Sequence, residues 1–147
     1  MSSVTLEQAD KIIVAALAKA RELKLRPLTV VVLDAGGHAV ALKREDDASL
    51  LRPRIAHGKA WGALGMGLPS RGMQSRAKES PAFYNALSDL SDGNLVPMPG
   101  GVLIRTSTKG KIIGAVGISG DTGDNDETCA VAGIRAAELH PDVGAET

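Results

Sequence analysis

Apolar side chains recur at Leu6, Ala9, Ile12, Ile13, Ala16, Leu17, Ala20 and Leu23, three or four residues apart, which is the spacing of one helix face. Thr5 followed three residues later by Gln8 supplies a capping box. Together they predict an amphipathic helix over residues 6–24, closed before Pro27. From Leu28 to Asp34 the pattern becomes an unbroken run, Leu-Thr-Val-Val-Val-Leu-Asp, whose β-branched content predicts a strand buried on both faces. Ala35-Gly36-Gly37 tolerates positive φ and turns the chain, so His38 to Arg44 is expected to return as the antiparallel partner.

Pro53 suits the first turn of a second helix running to about Met66, in which Gly58, Gly62 and Gly65 lie on nearly one face. A mid-helix glycine costs roughly 0.5–1 kcal/mol against alanine, so this stripe predicts a second backbone close by. Ser70 and Ser80-Pro81 open two short helices, over 70–77 and 81–90, and Ser91-Asp92-Gly93-Asn94 forms a loop. Leu95–Met98 and Val102–Thr106 read as short strands around Pro99-Gly100-Gly101, and Lys109-Gly110 turns the second of them into Lys111–Ile118. Asp124, with Glu127 three residues on, predicts the cap of a last helix through Leu139, with His140-Pro141 at its C-terminal dipole. The predicted order α-β-β-α-α-α-β-β-β-α, rich in short hairpins, indicates an α+β domain with an antiparallel sheet rather than a doubly wound parallel one.

Composition narrows what such a domain does. The 147 residues carry 17 lysines and arginines against 17 aspartates and glutamates. That balance offers no basic stripe for nucleic acid and no polybasic segment for a membrane surface. Only Trp61, Phe83 and Tyr84 are aromatic, so the core must be Ala, Val, Ile and Leu at close range. Cys129 is alone, which excludes an intrachain disulfide and a cysteine zinc cluster and suits a reducing compartment. Met-Ser-Ser-Val-Thr is no secretory leader and no apolar run reaches membrane-spanning length, so the expectation is a single cytoplasmic domain over residues 1–147.

Several local patterns bear on chemistry. Asp121-Thr122-Gly123 matches the aspartic-protease triplet, yet its neighbours Gly120, Asp124, Asn125 and Asp126 make it a solvated acidic turn, not a shielded shared-proton pocket. Gly117, Gly120 and Gly123 lack nucleotide-loop spacing, and the acidic cluster lacks calcium-loop spacing. His38 after the glycine turn and His57 on the glycine-marked helix are the candidate acid/base or ligating groups, with His38 the candidate for moving a proton. Arg44 and Lys59 flank a short connection and are expected to meet a carboxylate at one cleft edge, while Gly100 and Gly101 can offer backbone N–H groups to an anion.

Val31-Val32-Leu33-Asp34-Ala35-Gly36-Gly37-His38, Lys43-Arg44-Glu45-Asp46, Gly58-Lys59-Ala60, Pro99-Gly100-Gly101-Val102, Gly114-Ala115-Val116-Gly117-Ile118-Ser119-Gly120 and Asp126-Glu127-Thr128-Cys129-Ala130 resemble, in order and over nearly the whole chain, the GlcG/HbpS family. This family is related to the C-terminal domain of PduO-type corrinoid adenosyltransferases. The resemblance implies a profilin-like fold around a five-stranded antiparallel sheet, homo-oligomeric assembly and, in some members, haem binding. Three departures stand out: no export signal of the secreted haem sensors, no adenosyltransferase domain, and His57 where the family usually has an apolar residue. Beside that resemblance, the residues admit a haem or small-anion binding protein with His38 or His57 as iron ligand, an enzyme acting on a small carboxylate metabolite, or a scaffold without catalysis. The stripe of glycines also leads to an expectation of homo-oligomerisation.

Overall fold

Thr5 opens the first helix as the capping box predicts: its Oγ1 accepts the Gln8 N–H at 3.1 Å, and its own N–H donates to Gln8 Oε1 at 3.0 Å. This is a computed structural model, and it describes residues 2–144; Met1 and residues 145–147, the ends of the expected 1–147 span, lie outside the described residues. Helix α1 (Leu6–Glu22) turns Ala9, Ile12, Ile13, Ala16 and Ala20 inward. Strands β1 (Thr29–Asp34) and β2 (Ala39–Arg44) form the expected hairpin, with β1 buried along nearly all its length. Helices α2 (Arg52–Met66), α3 (Ser70–Glu79) and α4 (Pro81–Leu90) follow, then β3 (Gly101–Arg105), β4 (Ile112–Ser119), α5 (Gly123–Ala136) and β5 (His140–Asp142).

The strands make one antiparallel sheet in the order β2-β1-β4-β3-β5, the α+β arrangement with five strands that the sequence led us to expect. Alternating side chains of β1 serve two cores. Val30 and Val32 face α1 and α5, whereas Val31 and Leu33 face α2, α3 and α4. That double burial is why the strand reads as a continuous apolar run.

Close packing of helices on this sheet depends on glycine at two places. A Cβ on Gly117 of β4 would overlap the Ala56 carbonyl oxygen, and one on Gly101 of β3 would overlap that of Lys59, so the backbone of α2 rests directly on the sheet. The stripe on α2 behaves as predicted in kind, since a Cβ on Gly58 would stand 2.7 Å from Val96 Cγ2 and one on Gly62 3.1 Å from Leu95 Cα. The backbone that passes there is the chain's own, so the stripe is filled within the protein and gives no reason for a second copy.

Three element expectations are corrected. Leu95–Met98 is not a strand; it crosses the glycine face of α2, with the Val96 N–H donating to the Gly58 carbonyl at 3.3 Å. The fifth strand is instead β5, where His140 pairs with Arg105 and Pro141 with Ile104, so His140 begins an edge strand rather than ending a helix. Helix α5 starts earlier than predicted because Thr122, not Asp124, is its cap, with Oγ1 accepting the Asn125 N–H at 3.2 Å.

Candidate functional site

The residues singled out from the sequence divide between the interior and two stretches of surface. Lys59 is buried on α2, its Nζ donating to the Ile118 carbonyl at 2.9 Å and to Asp126 Oδ2 at 3.1 Å. Asp126 Oδ1 accepts the Asp121 N–H at 3.0 Å, which ties the pair to the turn before α5. Burial is the larger influence on both groups: it lowers the Lys59 pKa and raises that of Asp126, with the attraction between them acting the other way. The expectation that Lys59 stands with Arg44 at a cleft edge is therefore corrected. Arg44 lies at the exposed end of β2, its Nη1 donating to the Ala48 carbonyl at 2.9 Å, and lines a shallow cleft of about 340 Å³ with Arg21 and Glu45.

Gly100 and Gly101 are buried as well. Gly100 takes φ 124° beside the Lys59 ammonium, and the Gly101 N–H donates to Ser70 Oγ at 2.7 Å. The Gly101 amide thus already has an internal acceptor, which leaves it unavailable to an anion.

His38 and His57 both remain reachable. The His38 side chain is 82% exposed, and its Nδ1 lies 3.3 Å from Asp34 Oδ1, which also accepts the Gly36 and His38 backbone N–H groups. The His38 amide bond is the largest of the influences that hold the Asp34 pKa below its ordinary value. His57 is half-buried on α2, with Nδ1 3.2 Å from Asn94 Oδ1. An amide oxygen at Nδ1 favours the tautomer protonated there and leaves the Nε2 lone pair for a ligand. One turn further along α2, Trp61 packs under Gly37, so the turn carrying His38 sits against the helix carrying His57.

The acidic turn is structural. Asp121 accepts hydrogen bonds from Asn125 Nδ2, the Thr122 N–H and the Arg26 N–H, which hold its pKa down to about 2. Arg71 of α3 binds Asp124 and Glu127, reaching Glu127 Oε2 at 2.9 Å. Among the described residues no group of His, Cys, Asp and Glu side chains is arranged to hold a metal ion. Burial pushes the Cys129 thiol up to about 11, so it packs as an apolar core residue.

A larger cleft of about 700 Å³ opens between α5, β5 and the turn joining β3 to β4. Its lining includes Arg105, Lys109, Arg135 and His140, none of which the sequence reading placed in a site. Lys109 was visible only as a turn residue. His140 could be found only by recognising β5, which is three residues long and too short for periodicity to reveal.

Comparison with known proteins agrees with the fold. The model of the family described as "Haem degrading protein HbpS-like" matches residues 4–135. A 15.0 kDa protein from the dhaT-dhaS intergenic region of Citrobacter freundii is 30% identical over 130 residues, 88% of this chain and 89% of that one. Corrinoid adenosyltransferase PduO of the same organism is 28% identical over 137 residues; the match takes in 93% of this chain but spans only 40% of PduO. Among solved structures, one described as a PduOC:heme complex superposes with a TM-score of 0.83 at 26% identity, covering 95% of this chain and 99% of that one.

Proposed function

The chain belongs to the haem-degrading protein HbpS-like family, and on that premise we propose that it is a homo-oligomeric small-ligand-binding protein whose ligand is haem, held on the α2 face with His57 as the iron ligand and His38 as the alternative. The observation that carries the reading is the likeness, over 95% of the chain, to a domain described as a haem complex.

The residues present fit the group. His57 is half-buried and pinned at Nδ1 by Asn94, which leaves Nε2 as the ligating atom. Arg44, with one guanidinium nitrogen on Ala48 O, retains N–H donors for a propionate carboxylate. Bound there, an iron porphyrin would supply redox chemistry, while the protein orients it and limits water at one face. Apolar cover is at hand on the same side of the sheet: Leu42 is 45% exposed and pairs with Val31, whose side chain lies in the α2 core. Leu51, which caps α2, is 61% exposed, and a second copy would cover both side chains.

Haemin titration tests the proposal. The expected result is a saturable Soret shift at one equivalent per chain, altered by His57→Ala or by His38→Ala with the fold intact. A dissociation constant weaker than micromolar, or spectra indifferent to both substitutions, would overturn it.

A further inference from the structure

The 700 Å³ cleft lies away from the α2 face, across the sheet edge formed by β5, and its lining includes none of His38, Arg44 and His57. Its volume falls within the range of small-molecule sites, about 300–1,000 Å³. Charge gives it a definite character. Glu127 and Asp142 are the carboxylates in its lining, and both are already satisfied: Arg71 Nε donates to both Glu127 oxygens at 3.1 and 2.9 Å, and Arg105 Nε donates to Asp142 Oδ2 at 2.9 Å.

The cations are not matched in the same way. Arg105 spends Nε on Asp142 and Nη1 on the Gly110 carbonyl, leaving Nη2 without a partner among the described residues. The side chains of Lys109 and Arg135 have no ion-pair or hydrogen-bond partner among the described residues, and His140 lines the cleft with them. Two unpaired cations thus line the cleft, Arg135 from α5 and Lys109 from the β3–β4 turn, beside Arg105, which keeps one free guanidinium nitrogen. An anion entering the cleft would be attracted by both free side chains, neither of which has a carboxylate of its own. Val131 and Val143 supply an apolar wall.

We infer that this cleft is a second binding site, for a small organic anion carrying at least two negative charges, as carboxylate or phosphate groups on a short carbon skeleton. Lys109 and Arg135 would grip the charged groups, and the valines would meet the skeleton. The site uses none of the residues proposed for haem, so it stands or falls independently of that reading.

Calorimetric titration of the intact protein at low ionic strength, with succinate and with glycerol 3-phosphate as probes, tests it. Saturable binding of at least one probe is expected, weakened roughly tenfold or more by Lys109→Gln and by Arg135→Gln, the loss typical of one charge-assisted contact. Both side chains are on exposed residues, so unchanged melting of the variants shows that the fold is intact. Lys11→Gln, on the exposed face of α1, should bind as the native protein does. Preference for one probe identifies the anion type. Saturation by neither probe, or equal affinity in both cleft variants and the native protein, would overturn the inference.

Discussion

The Lys59–Asp126 pair shows how a single side chain can mislead a reading of sequence. Lysine on a helix next to histidine and glycine suggests an exposed cation, and its partner lies 67 residues away on another element. No local pattern joins them; only the fold places both under the loop before α5. Removing one member of such a pair leaves the other charge buried and uncompensated. Lys59→Met is therefore expected to cost about 3–5 kcal/mol in urea denaturation, and Lys59→Met combined with Asp126→Leu to recover most of it. Asp121 makes a different prediction. Its folded pKa of about 2 lies below the ordinary 3.8, so its hydrogen bonds stabilise the fold fully above pH 4 and lose that effect as pH falls toward 2. The melting temperatures of native protein and Asp121→Asn should accordingly differ at neutral pH and converge between pH 4 and pH 2. That this turn opens a helix was legible in the sequence, because Asp, Thr and Asn side chains cap their own backbone locally, but the cap is Thr122 where Asp124 was expected, and Asp126 is buried where a solvated turn was expected.

At the scale of elements, α2 shows which glycines matter. A leucine at Gly62 must displace the backbone of Leu95, so Gly62→Leu is expected to destabilise by about 1–3 kcal/mol or more. Gly65 lies on the same stripe, but a Cβ there meets only the Trp61 ring at 3.4 Å. Gly65→Ala should leave stability unchanged or raise it by up to about 1 kcal/mol, because alanine is the better helix former. Comparing the two urea midpoints tests whether the stripe is one packing surface or two kinds of position. The same helix marks the limit of reading strands from pattern. Leu95–Met98 has strand-like composition, yet its place over Gly58 and Gly62 is decided by shape. The β1 run, by contrast, was readable because burial on both faces removes the polar positions that would interrupt it. The larger cleft had no linear signature: it is assembled from residues of α5, a turn and a three-residue strand, which meet only after the sheet has formed, whereas the smaller takes Arg44, Glu45 and Asp46 from one run of sequence.

For the molecule as a whole, burial is uneven. Of α4 only Tyr84 is buried, while Phe83 and Leu90 stand 57% and 83% exposed. Amide hydrogen exchange should be fastest in α4 among the helices and slowest in β1 and β4, which are paired on both sides; equal protection across these elements would contradict the packing described. Homo-oligomerisation predicts a mass above one chain by light scattering at micromolar concentration, and Leu51→Glu should reduce it without unfolding the protein.

The strand order also governs how the chain comes into being. β1 must pair with β4, whose partner residues lie 80 to 90 positions later, and α1 packs on α5, where the Ile12 carbonyl meets Gly133. A ribosome releases Val30, Val31 and Val32 long before anything can cover their second edge. The nascent chain therefore carries β1 with only its β2 edge paired and its apolar Val30–Leu33 run uncovered through most of its synthesis, a natural client for a holding chaperone and the segment most prone to pair wrongly with another unfinished copy.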